Sequence, residues 1–157
     1  MCETLEKSVS FRVATRQDLQ AIVQMLADDS LGLKREDPSN PLSRSYHMAF
    51  EAIDADPNNE LVVAVKGHHI VGVLQITFIP YLTYQGGWRA LIEGVRVSKE
   101  IRSSGIGRAM FEWAINRAKE RGCVLVQLTT DKLRPAALRF YEGFGFVASH
   151  EGMKLKL

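Results

Sequence analysis

The chain is short of several things that would announce a function. Among its 157 residues there are two cysteines, Cys2 and Cys123, too few for a disulfide framework. The four histidines, His47, His68, His69 and His150, show no metal-ligand spacing, so no metal site is expected. The net charge is only +2, which argues against a nucleic-acid partner and makes any anion binding a local matter. No apolar run reaches membrane-spanning length, and the opening Met1-Cys2-Glu3-Thr4-Leu5-Glu6-Lys7 lacks the apolar core of a secretion signal. No membrane contact and a cytoplasmic location are the expectations. Internal repeats and low-complexity stretches are missing too. What remains, 46% apolar and 24% charged, is the composition of an ordinary soluble globule with one core, and a single domain over residues 1–157 is expected.

Hydrophobic periodicity gives the order of elements. Val9, Phe11 and Val13 alternate with Ser10 and Arg12 as in a half-buried strand. Thr15-Arg16-Gln17-Asp18 then reads as a helix cap with an acid three residues on, followed by Leu19, Ile22, Val23 and Leu26 at helical spacing. The stretch 28–45 holds Gly32, Pro38 and Pro41 among charges and reads as a mobile loop, a candidate lid with room for a short helical turn. Ser43 or Ser45 can start a second helix through Tyr46, Phe50 and Ile53, stopped at Asp56-Pro57-Asn58-Asn59. Leu61 to Val65, a tight turn at Gly67-His68, and Ile70 to Ile79 form a hairpin. Tyr81 to Gly87 is an apolar loop that lines a pocket, meets another subunit or folds onto its own core.

The informative stretch is Leu91 to Gly122. A strand through Val95 and Val97 leads by a polar link into Arg102-Ser103-Ser104-Gly105-Ile106-Gly107-Arg108 and then an amphipathic helix. Its apolar face is Ile106, Met110, Trp113, Ala114 and Ala118. Glycines at a helix start let backbone approach a ligand, the first amides point outward, and the helix dipole adds positive charge to that of Arg102 and Arg108. A phosphate or diphosphate is the natural occupant, although the same glycines also serve a plain strand-to-helix loop. Gly122 ends the helix, Cys123 to Thr129 supplies a further strand, and a right-handed crossover should make it parallel to the first. Pro135 opens a short helix through Tyr141 that closes at Gly145, and Phe146 to Leu157 is expected to add one or two closing strands.

Three known schemes place glycine at a helix start. A nucleotide-hydrolase phosphate loop needs Lys-Ser/Thr after its last glycine, where this chain has Arg108-Ala109. A dinucleotide fingerprint needs glycines directly after the strand and a small third residue, where this chain has a long link and Met110. The third scheme fits: Arg102-x-x-Gly105-x-Gly107 after Val95-x-Val97 resembles the acyl-CoA-binding motif of the GNAT superfamily of N-acetyltransferases. Further on, Arg134-Pro135-Ala136-Ala137-Leu138-Arg139-Phe140-Tyr141-Glu142-Gly143-Phe144-Gly145-Phe146 is similar to the family's later signature, in which an Ala-x-x-x-Tyr helix ends in Gly-Phe, and the element order agrees over essentially the whole chain.

The resemblance implies an α/β (α+β) fold with a mixed, mostly antiparallel sheet of six to seven strands and about four helices. It also implies acetyl-CoA as cosubstrate and an amine acceptor, either a small molecule or a protein amine. By the same resemblance the backbone of Val95 and Val97 would meet the pantetheine amides beside a bulge that Gly94 suits. The amides of Arg102, Ser103, Ser104, Gly105, Ile106, Gly107 and Arg108 would hold the diphosphate. Asp131 stands where many members carry an Asn that contacts pantetheine. Tyr141 would give a proton to the departing thiolate. A homodimer is an expectation from the apolar 81–87 loop and from family habit.

Glu93 is the candidate base, after the family's habit of placing a partly buried Glu on this strand. Deprotonating an alkyl amine of pKa ~10.4 at neutral pH costs roughly 4–5 kcal/mol, against about 1.4 for an α-amino group near 8, so a base matters most for lysine-like acceptors. A strand Glu can equally be solvated or structural. Cys123 begins a buried-looking strand without a His nearby and makes a poor acyl carrier. Direct attack in a ternary complex is the expected mechanism. The rival expectation is a CoA-binding regulatory module that has lost turnover.

Overall fold

A computed structural model describes residues 8–157; the opening heptapeptide with Cys2 lies outside the described residues. The chain forms two compact units, one ending at Gln127 and the other running Leu128–Leu157.

The first unit is built on a sheet ordered β1-β2-β3-β4-β5, with β1 Val9–Val13, β2 Asn59–Lys66, β3 His69–Pro80, β4 Trp88–Val97 and β5 Cys123–Leu128. The first four strands pair antiparallel. The amino ends of β4 and β5 lie together, since a Cβ on Gly87 would come within 2.6 Å of Val124 Cγ2. Parallel neighbours have this arrangement.

Two layers of helix cover the sheet. The first comprises α1 Leu19–Leu26 and α2 Arg44–Ala55. Leu19, Ile22, Val23, Met25, Leu42 and Phe50 pack there with Val63 and Val73 of the sheet. The start of α1 is fixed as its sequence requires: the Asp18 carboxylate accepts the Thr15 N–H at 2.7 Å and the Thr15 hydroxyl at 3.0 Å. Arg12 adds two bonds to it, at 2.7 and 3.0 Å, and holds the Asp18 carboxyl down at about 2.

On the other face lies α4, Ile106–Glu120. Its buried stripe is Ile106, Met110, Phe111, Ala114 and Ala118, so Phe111 joins the expected face while Trp113 sits at its margin, stacked on Phe11 of β1 at 5.8 Å. Gly72 shows how close this helix comes: a Cβ there would lie 2.5 Å from Met110 Sδ. With Gly72 facing α4, the period of two turns Leu74, Ile76 and Phe78, all fully buried, the same way. Each such side chain contributes roughly 1.5–3 kcal/mol through burial. The far end of α4 is anchored by Arg117, bonded to both Glu60 carboxylate oxygens, and by Arg121 over the Phe78 ring at 4.2 Å.

Two expectations need correction. The described residues hold five strands and five helices rather than six to seven and about four. The extra helix is the single turn α3, Thr83–Gly86, in what reads as an apolar loop; Tyr84, Gln85 and Gly86 all take positive φ there. The missing strands are those expected over Phe146–Leu157, which is irregular, with Val147, Met153 and Leu155 81%, 93% and 88% exposed. The alternation of that tail offers a strand a face, but a strand exists only through ladder bonds to a neighbour, and none is formed there among the described residues. Within the second unit, α5 Pro135–Glu142 opens with proline at its first turn. Among the described residues no helix is long and apolar enough to cross a membrane.

Candidate functional site

Strand β4 carries a bulge. On one side of it Gln75 faces Glu93 and on the other Val73 faces Arg96, so Gly94 and Val95 together oppose the single residue Leu74. Gly94 supplies the positive φ of 62° at this point. The extra residue changes which side chains share a face: Glu93 and Arg96, rather than Glu93 and Val95, point to the α1 side. Arg96 Nε there lies 3.6 Å from Asp29 Oδ2. Asp29 in turn accepts the Leu31 and Gly32 amides at 3.1 and 2.6 Å, which sets the first turn of the 28–45 loop. Glu93 itself is exposed, not partly buried as family habit suggests.

From the bulge the backbone runs to the start of α4. The peptide oxygen of Val95 accepts from Arg96 Nη1 at 2.8 Å and that of Val97 from Arg102 Nε at 3.3 Å. Each carbonyl has two lone pairs and can take a second donor. A 3-10 turn, Lys99–Ile101, follows. Ser103 at φ 69° and Gly105 at φ 84° then bend the chain into the helix. The first helical bond runs from the Ala109 N–H to the Gly105 carbonyl at 3.0 Å, so the amides of Ile106 and Gly107 stand ahead of it without intrahelical acceptors. A Cβ on Gly105 would meet nothing within 4 Å. Glycine is needed there for its φ, and open space lies before the helix end.

The charges around this opening are not arranged as the sequence alone suggests. Arg108 pairs with Glu112 one turn on, at 3.0 Å. Arg102 Nη2 lies 3.6 Å from Asp28 Oδ2, and Lys99 pairs with the other oxygen of the same carboxylate. An acid from the end of α1 thus sits against two cations of the cradle. Sequence reading missed Asp28 because only the fold brings it there; the run Asp28-Asp29 before a glycine was its one local sign.

The fit to a diphosphate is good on these observations: unsatisfied amides, a helix N-terminus, a glycine whose front is open, and cations to either side. Residues 20–146 match the model of the Acetyltransferase (GNAT) family. The chain belongs to that family. Across the GNAT family the acetyl donor is acetyl-CoA. The chain is 61% identical, with a TM-score of 0.93, to a Bacillus halodurans C-125 crystal structure described as a transcriptional regulator, covering 96% of this chain and 100% of that one. A Trypanosoma brucei acetyltransferase structure is 25% identical with a TM-score of 0.76, over 96% and 100% of the two chains. The aminoalkylphosphonate N-acetyltransferase of Salmonella typhimurium strain LT2 is 27% identical over 107 residues, 68% of this chain and 69% of that one.

The other two predicted positions belong to the second unit. Asp131 closes the turn before α5, its carboxylate accepting the Leu133 amide at 2.9 Å and its carbonyl the Arg134 amide at 2.9 Å. Tyr141, on the last turn of α5, packs edge-on to Phe140 at 5.6 Å and to Phe146 at 6.2 Å. Its carbonyl accepts the Phe144 and Phe146 amides, which wraps the Gly-Phe-Gly-Phe segment around it. Cys123 is half-buried, and burial pushes its thiol above the ordinary value, against any role as a thiolate. The described residues contain no group of three His, Cys, Asp or Glu able to hold a metal ion.

Proposed function

We propose that this chain is an acetyl-CoA-dependent N-acetyltransferase, organised as a single domain, in which a primary amine attacks the thioester directly in a ternary complex. The observation that carries the reading is the continuity of the bulged strand β4 with the glycine-capped opening of α4. The bulge leaves the carbonyls of Val95 and Val97 able to take ligand amides, and the amides from Arg102 to Arg108 are assigned the diphosphate. Acetyl-CoA supplies an acyl group already activated as a thioester.

Glu93 takes the proton that the attacking ammonium must lose, directly or through water. Its exposure leaves it within reach of water and of an incoming amine. Tyr141 provides the proton that the leaving sulfur gains and recovers one from solvent. Counted from the ammonium, one C–N bond forms and one C–S bond breaks; nitrogen gives up two protons, the first through Glu93 to solvent before attack and the second to solvent as the amide forms, sulfur gains one, and one net proton is released. Asp131, its carboxylate engaged in its own turn, is a weaker candidate for a pantetheine contact than the β4 carbonyls.

The Salmonella relative is named for aminoalkylphosphonates, so an amine bearing an acidic group belongs in any acceptor panel. The description of the Bacillus halodurans protein as a transcriptional regulator favours a second reading, an acyl-CoA-binding module without turnover. Release of CoA thiol from acetyl-CoA, followed with 2-aminoethylphosphonate, spermidine, benzylamine and Nα-acetyl-lysine, separates the two. The enzyme reading expects release with at least one amine and a fall of about 10²-fold or more in Tyr141→Phe. Binding of acetyl-CoA with no release from any amine would favour the module.

A further inference from the structure

On the α1 side of the sheet, next to Glu93, lies a polar chain whose direction is fixed by one charge. Asp56 follows α2 and accepts the Asn58 amide at 2.9 Å and the Asn59 side-chain amide at 2.7 Å. These two bonds, the backbone one first, lower its carboxyl from the ordinary value. An ionised carboxylate only accepts, so Asn59 must turn its NH₂ toward Asp56 and its oxygen Oδ1 the other way. That oxygen receives Thr77 Oγ1 at 2.7 Å and Gln75 Nε2 at 3.0 Å. Gln75 therefore presents its own carbonyl oxygen, Oε1, away from Asn59. Among the described residues that oxygen takes part in no hydrogen bond.

Gln75 and Glu93 are register partners across β3 and β4. Side chains of such a pair stand on one face with Cβ atoms about 4.5–5.5 Å apart. Glu93 makes no hydrogen bond or ion pair among the described residues. The bulge closes one end of this face with Arg96 and Asp29, and half-buried Leu91 and Thr77, themselves register partners, floor the other. Two acceptors without donors therefore sit side by side at the point where β4 changes register.

We infer that the Gln75 carbonyl and the Glu93 carboxylate together receive the acceptor nitrogen, and that the Asp56–Asn59 pair is there to hold Gln75 in the accepting orientation. A primary ammonium offers three donors and matches such a pair, whereas an alcohol offers one. Gln75 touches the amine; Asn59 and Asp56 are positioning residues. The inference rests on the N-acetyltransferase reading and names its acceptor subsite.

The test uses the full chain and the best amine of the panel above. Gln75→Met keeps the length of the side chain and removes the acceptor, and is expected to raise the KM for that amine about tenfold or more. The KM for acetyl-CoA stays within about twofold, since the cradle is untouched. Asp56→Asn, at the surface, lets the Asn59 amide turn over and is expected to raise the amine KM alone, by about threefold or more. That variant carries the test if Gln75→Met does not fold. An unchanged amine KM in both variants, or equal changes in both KM values, overturns the inference and leaves the function standing. A parent chain that binds acetyl-CoA but acetylates no amine overturns both.

Discussion

From Trp88 to Glu120 the chain is held by register and burial, whereas from Leu128 to Leu157 it is held by turns, caps and ring edges. In the first stretch Ala90, Ile92, Met110, Phe111 and Ala114 are all at most 2% exposed. In the second no residue is buried; the order comes from Asp131 closing its turn, proline opening α5, and the aromatic contacts of Tyr141. Each stretch carries one of the two family signatures. A diphosphate cradle needs amides fixed in space, which a buried sheet and helix provide. The proton transfer proposed for Tyr141 rests on its local helix, α5, which opens at Pro135 and ends at Gly143.

This difference should show first in stability. Phe111→Ala, which opens a hole under α4, is expected to cost about 3–5 kcal/mol and to lower the thermal midpoint sharply. Phe144→Ala in the second unit loses a ring-edge contact to Phe140, and about 0.5–1.5 kcal/mol at most beyond area terms. Thermal melts of the two variants would break the comparison if they shifted equally.

The next effect is acid sensitivity. Asp18 is buried and titrates at about 2 in the folded chain, chiefly because of its bonds from Arg12. Its unfolded value lies near 3.9, so the stabilisation, about 2 kcal/mol, is complete above about pH 4 and is lost as pH falls through 2. Denaturant melts between about pH 5 and about pH 2 should show Asp18→Asn losing less stability than the parent. Parallel curves would contradict this account of the start of α1.

Smaller still in stability, but large in binding, is Gly105→Ala. Its φ of 84° costs a side chain roughly 1–2 kcal/mol, and any shift of the helix start misaims the amides. Calorimetry should find acetyl-CoA binding weakened about tenfold or more, with only a modest fall in the thermal midpoint. Smallest is Asp28→Asn. Its partners are largely exposed, so the ion pairs themselves are worth about 0–1 kcal/mol. Relieving Lys99 and Arg102 of their acid should tighten acetyl-CoA binding a few-fold at low salt and not at high salt.

Most of the first stretch could be read from sequence because its signals are local. The period of β4, the glycine after the polar link and the apolar stripe of α4 lie next to one another along the chain. Gly94 even marks the bulge, but not its consequence, that Arg96 and not Val95 joins the face of Glu93. That depends on which residue of β3 is left opposed by two. Asp28 beside Lys99, and Asn59 beside Gln75, could not be read because they meet across loops. Asp56-Pro57-Asn58-Asn59 looks like a helix stop and is one, while Asn59 also accepts a bond from Gln75 on the neighbouring strand. The strands expected over 146–157 do not form, and nothing local in that stretch says which neighbour would supply their ladder bonds.

The central claim is that the backbone opening α4 holds the diphosphate of acetyl-CoA and so directs the thioester along β4. Crystals grown with acetyl-CoA test it most directly. The account predicts the diphosphate oxygens within hydrogen-bond distance of the amides of Ile106, Gly107 and Arg108, and pantetheine amides on the carbonyls of Val95 and Val97. A diphosphate bound elsewhere, with these amides left to solvent, would contradict it.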